Sequence, residues 1–142
     1  MKTTVYSFDD VSLVISHPKV GKLTITGEGV GSISIARSND ITQHDIAADG
    51  SVMISKIVTK NGTIAIALQQ TSAAHKWLKK WLAYLTTAAT NQWANTSAVL
   101  KFPAFGETIN MTGISPQKRA DAAYQQSGQQ VTWNLMAAKI EG

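Results

Sequence analysis

Cysteine is absent from this 142-residue chain. That excludes a disulfide framework, a thiolate metal site and a cysteine nucleophile together. Long apolar runs are missing too. Nothing approaches the ~18–20 consecutive apolar residues of a membrane span, so no membrane partner is expected. The first ten residues, Met-Lys-Thr-Thr-Val-Tyr-Ser-Phe-Asp-Asp, alternate like a strand and lack the apolar stretch of a secretory signal. The chain is therefore expected to stay where it is made. Arginine is scarce, with only Arg37 and Arg119. Without a basic run or an aromatic-plus-basic motif for base stacking, a nucleic-acid-binding β-barrel is a weak alternative.

Catalytic signatures are missing as well. His17, His44 and His75 show no paired spacing for a metal. Asp9 and Asp10 are adjacent, so on a strand their carboxylates point apart. No serine lies in a nucleophile-elbow context. The Gly27-Glu-Gly-Val-Gly31 patch lacks the lysine of a phosphate loop and precedes a strand pattern, which favours a turn or bulge. No catalytic residue, cofactor site or metal site is expected, and no enzyme.

What is present is β pattern at both ends and one helix between. Leu13 and Ile15, Leu23 and Ile25, Ile33 and Ile35, and Ile64, Ile66 and Leu68 alternate with Ser, Thr, Val, Lys or Ala. Period two means one buried face and one wetter face of short side chains. Asn61-Gly62, between β-rich runs at Ser51–Lys60 and Thr63–Gln69, predicts a tight hairpin. Met53, Ile54, Ile57 and Val58 break the alternation, which predicts a bulge or two-sided burial. Short strands are expected at Ala98–Phe102 and Thr108–Thr112, a turn or short helix at Ser115–Gln126, and a last strand at Gln130–Lys139. From about residue 72 to 88 the apolar residues Ala74, Trp77, Leu78, Trp81, Leu82 and Leu85 follow helical spacing, with Lys76, Lys79 and Lys80 on the other side. Trp77, Leu78, Trp81, Leu82 and Leu85 are expected to pack on a sheet. Length allows one domain, residues 1–142, with a sizeable core.

Charge is unevenly placed. Residues 1–50 hold six acids and four bases, whereas residues 51–142 hold nine bases and three acids. The acidic half of one copy could meet the basic half of another. The polar segment Ser38–Gly50 carries Asp40, Asp45 and Asp49 together with Ile41 and Ile46. About 13 residues between two strands is long for a structural loop, and the two isoleucines suit a segment that orders on docking.

Tyr6-Ser7-Phe8 with Asp10-Val11, Ile33–Ser38 leading through Asn39-Asp40, Ala48-Asp49-Gly50, Asn61-Gly62-Thr63 and Leu68-Gln69-Gln70-Thr71-Ser72 together resemble the inner tail tube protein of contractile-tailed phages. The resemblance covers roughly residues 5–85 well and the C-terminal third loosely. It implies a mainly β fold, a rolled β-sandwich or β-barrel with one flanking amphipathic helix, related to the type VI secretion tube protein. It further implies stacked hexameric rings forming a DNA conduit inside a contractile sheath. Implied partners are other copies of the chain, the tail sheath protein, the tape-measure protein and passing DNA in the lumen, and baseplate and tail terminator proteins. The location implied is the virion tail, with assembly in the host cytoplasm. Ser38–Gly50 matches the ring-stacking segment, with Asn39, Asp40, Ile41, Gln43, His44, Asp45, Ile46 and Asp49 at the interface. Lys76, Lys79 and Lys80 would face the sheath. A type VI secretion-like or contractile bacteriocin tube subunit is the alternative of the same fold.

Overall fold

The computed structural model describes residues 2–26, 29–122 and 124–142. Along the chain run β1 (Ser12–His17), β2 (Gly21–Ile25), β3 (Val30–Arg37), β4 (Thr42–Ile46), β5 (Val52–Lys56), β6 (Gly62–Gln69), α1 (Ala73–Thr87), β7 (Thr96–Phe102), β8 (Glu107–Lys118) and β9 (Gln130–Glu141). Seven strands form one antiparallel sheet in the order β2-β1-β7-β8-β9-β6-β3, while β4 and β5 pair with each other.

The sequence alternation becomes two faces because paired residues share a side. Ile35, Ile64 and Leu135 form one apolar row, and Ile33, Ile66 and Trp133 form the next. Behind them, Ser34, Ala65 and Asn134, then Ser32, Ala67 and Thr132, line the opposite face. Registers also shear across the sheet: Arg37 at the end of β3 lies in one row with Gly62, Ala137, Ile114 and Thr96 at the start of β7. Progressive stagger of this kind closes a sheet toward a barrel. The two edge strands, β2 and β3, are joined only by residues 26–29, a reach of at most ~18 Å. The sheet therefore curls into an open half-barrel whose two edge strands are not paired with each other.

Helix α1 seals the apolar concavity, within a residue of the expected span. Ser72 Oγ accepts from the His75 amide at 3.2 Å and starts it. Ala74, Leu78, Trp81 and Leu85 are buried, and Trp77 and Leu82 pack at the margin. Trp81 Nε1 donates to Thr96 Oγ1 at 2.9 Å, so the one polar atom of the buried indole is satisfied.

Five expectations are corrected. Asn61-Gly62 is not a hairpin turn. Gly62 opens β6 opposite Arg37 and Ala137, and an added Cβ would strike the Ala36 carbonyl oxygen and lie 2.6 Å from Ile140 Cδ1. Glycine is needed there for close backbone approach, not for positive φ. Strand β5 pairs with β4 instead, through a turn at Ala47–Gly50 where Gly50 has φ +91°. Ser38–Gly50 is thus half of a ribbon rather than a loop. Met53, Ile54 and Val58 carry neither a bulge nor two-sided burial but are exposed, and Ile57 is half-buried, because that ribbon leaves the sheet. Residues 2–7 form no strand, and Phe8–Asp10 is a short 3-10 turn capped by Ser7. Finally, Ser115–Lys118 continues β8, with buried Pro116 accommodated where the register with β9 shifts. Gly27 and Glu28 of the glycine patch lie outside the described residues. Gly29 has φ +72°, and the register slips between Val30 and Ser32, in keeping with turn and bulge use.

Candidate interaction surfaces

The β4–β5 ribbon continues the β3–β6 pairing beyond the edge of the sheet. At its base the Ser38 amide donates to Asn61 O at 3.1 Å, Asn39 Nδ2 to Asn61 Oδ1 at 2.7 Å, and the Ile57 amide to Ile41 O at 3.0 Å. Arg37 Nη1 reaches Ile140 O at 3.1 Å, and Glu141 accepts from Lys139 and Lys60 at 3.0 and 3.2 Å. Those two ammonium hydrogen bonds hold the Glu141 carboxyl below the usual carboxylate range. At the tip, Asp49 Oδ1 accepts from the Ser51 hydroxyl and from its amide, which lowers the Asp49 pKa and keeps its charge. The Ala47 amide closes the turn onto Ser51 O at 2.9 Å.

Nothing from Ser38 to Lys56 is buried. Ile41 and Ile46 are each 70% exposed and Ile54 66%, unlike isolated surface apolar residues that need no explanation. The pairs His44–Ile54 and Ile46–Val52 put one apolar face on the ribbon, while Gln43–Ser55 and Asp45–Met53 make the other. Of the residues expected at an interface, Asn39, Asp40 and Ile41 stand at the base, Gln43 to Ile46 on β4, and Asp49 at the tip. On β5 of the same ribbon Val52, Met53 and Ile54 are exposed as well. Their sequence signal was the failed alternation beside Asp49-Gly50.

The fold sorts charge by end. At the end from which the ribbon projects stand Asp9, Asp10, Asp40, Asp45, Asp49, Glu107 and Glu141, against Arg37, Lys56, Lys60, Lys101 and Lys139. At the other end, where β1 and β8 finish and α1 begins, stand Lys19, Lys22, Lys76, Lys79, Lys80, Lys118 and Arg119, with Asp121 the acid among the described residues there. The lopsided sequence has become a subunit with a mildly acidic end and a strongly basic one. The sheet face away from α1 is nearly neutral between these ends, made mainly of Ser, Thr, Ala, Asn and Val with Met136 and sparse lysines.

The histidines divide between structure and surface. His17 is buried at the end of β1, where Nδ1 accepts from the Lys19 amide at 3.0 Å and braces the β1–β2 turn. His44 is exposed on β4. His75 Nδ1 accepts from Trp133 Nε1 at 3.0 Å, which requires the ring to be neutral at that nitrogen. Burial, then the charges of Lys79 and Arg119, lower the His75 pKa from its ordinary 6.5. The unfolded chain therefore binds more protons just below pH 6.5, and stability falls with pH through that window until the ring protonates in the folded state as well. Urea midpoints at pH 7.5 and 5.5 should differ more for the native chain than for His75→Gln. Equal differences would remove His75 from the account. No group of acidic and histidine side chains among the described residues has a metal-binding arrangement, and no described helix is long and apolar enough to cross a membrane.

Over residues 3–142 the sequence matches the family described as bacteriophage PhiTE tail tube protein. No curated protein matches it. Solved structures share the fold at low identity. A chain of the anti-feeding prophage baseplate aligns at TM-score 0.65 and 11% identity, over 99% of this chain and 96% of that one. A chain of the anti-feeding prophage tube-terminating cap aligns at 0.60 and 11%, over 99% and 91%. A chain of the PVC extracellular contractile injection system, sheath–tube complex in the extended state, aligns at 0.52 and 13%, over 91% and 86%.

Proposed function

The chain belongs to the bacteriophage PhiTE tail tube protein family, and from that premise we propose that its copies form hexameric rings stacked into the inner tube of a contractile tail. The observation that carries this reading is the β4–β5 ribbon, an ordered apolar and acidic projection with no core of its own. Edge strands β2 and β3 pair with the neighbouring subunits of a ring, which removes the exposed edges that otherwise invite aggregation. Because α1 covers one sheet face, the Ser/Thr/Ala face lines the channel. Short neutral side chains let DNA and the tape-measure protein pass with few strong contacts, since phosphates bind a lysine-lined wall tightly. Outside, Lys76 and Lys80 of α1 meet the sheath protein, and the two tube ends meet baseplate and terminator proteins. The tube acts in the virion tail and is assembled in the host cytoplasm. Its role is structural rather than catalytic.

A second reading has one observation in its favour: the fold is shared with chains of injection systems. A contractile bacteriocin or secretion-like tube would carry no genome, so DNA content of purified particles separates the two. For the main reading, light scattering over a concentration series should show rings or filaments; a strictly monomeric chain, even with its tail partners, would contradict it. Lys76→Glu/Lys80→Glu should leave tube assembly intact and impair sheath assembly around it. Unaltered sheath assembly would take the sheath contact off this face.

A further inference from the structure

A groove of about 490 Å³ opens at the end of the subunit opposite the ribbon. Leu82, Trp93 and Pro116 line it, with Lys79, Lys118 and Arg119 along its rim. Trp93 is 39% exposed, a large ring that the chain's own packing leaves uncovered. Lys118 has a loose partner in Asp121 at 3.9 Å, and no ion pair among the described residues engages Lys79 or Arg119. The groove therefore offers an apolar patch beside the polar Thr86, Thr87 and Gln117, with positive charge around it. Such a site suits an occupant with apolar side chains and a negative tip.

The ribbon has that chemistry. His44, Ile46, Val52 and Ile54 share a face, and Asp49 stands in the turn beyond it, while Asp45 lies on the opposite face. We propose that the tip of one copy's β4–β5 ribbon seats in the Trp93 groove of a second copy in the adjacent ring. Ile46 and Val52 pack against Trp93 and Leu82, and Asp49 at the tip faces Lys118 and Arg119. The assignment rests on the ring-stacking reading and gives it an acceptor site. Donor and acceptor lie at opposite ends of the subunit, so the contact is heterologous and repeats head to tail instead of closing in a pair. From Ser38 to Ala48 the ribbon can reach up to about 33 Å. The exposed aromatics Tyr6 and Phe105, which flank the buried Phe102, sit at the ribbon's own end and cannot receive a ribbon in a head-to-tail stack.

The lack of native cysteine makes the test direct. Asp49→Cys/Arg119→Cys should give, on oxidation of assembled tubes, a ladder of disulfide-linked subunits that neither single variant gives. Tubes that assemble from the double variant yet yield no ladder would overturn the groove as acceptor. If a chain with residues 39–59 shortened to a turn still builds tubes, the stacking reading itself fails, and this proposal with it. Should the double variant not fold, hydrogen exchange on the native chain decides. Amides of residues 92–95 and 117–119 should exchange at least tenfold more slowly in tubes than in free subunits, and equal rates would refute the contact.

Discussion

Replacing Trp81 by alanine should cost the folded subunit about 3–5 kcal/mol, the range for losing a large buried aromatic. Its indole is fully buried between α1 and the sheet, stacks on Trp77 with centroids 6.4 Å apart, and is anchored by the bond to Thr96 Oγ1. Alanine leaves a cavity at the centre of the helix–sheet contact and strands the Thr96 hydroxyl, itself 1% exposed. A domain of this size has only about 5–15 kcal/mol of net stability, so the variant should unfold at much lower urea. Trp81→Phe separates the two contributions: most packing stays, and the unsatisfied Thr96 hydroxyl costs about 1–3 kcal/mol. A loss below about 1 kcal/mol for the alanine variant would mean that α1 is not seated as described.

Shortening residues 39–59 to a turn should do the reverse, leaving stability nearly unchanged while abolishing tubes. The segment contributes only Ile57, half-buried, to the subunit's packing. Isolated two-stranded ribbons are marginal on their own, so the amides of β4 and β5 should exchange fast in the free subunit and slowly in the tube. Equal protection in both states would show that the ribbon gains no partner on assembly. A destabilised subunit would show that it supports its own domain.

Most of this was legible where residues respond to a single local constraint. The α1 stripe and the alternating strands fixed both helix span and sheet faces, because burial on one side leaves a periodic trace. The pairing of β5 was not legible. Asn61-Gly62 carries a strong turn signal, yet the long-range demand for close approach to Ala36 and Ile140 overrides it. Likewise the ribbon has no periodic burial to read, since nothing from Ser38 to Lys56 is buried in the subunit. The groove is built from α1, Trp93 and the end of β8, which no sequence window brings together. Even the charge split was visible only as an imbalance between halves; the topology turns it into an imbalance between ends.

Electron microscopy of the purified, assembled protein tests the central claim most directly. Averaged end views should show six-fold rings about a central channel, with α1 at the outer rim and the Ser/Thr/Ala face toward the channel, and side views should show ribbons bridging successive rings. A tube whose channel is lined by α1, or rings that stack without ribbon contacts between them, would contradict the account.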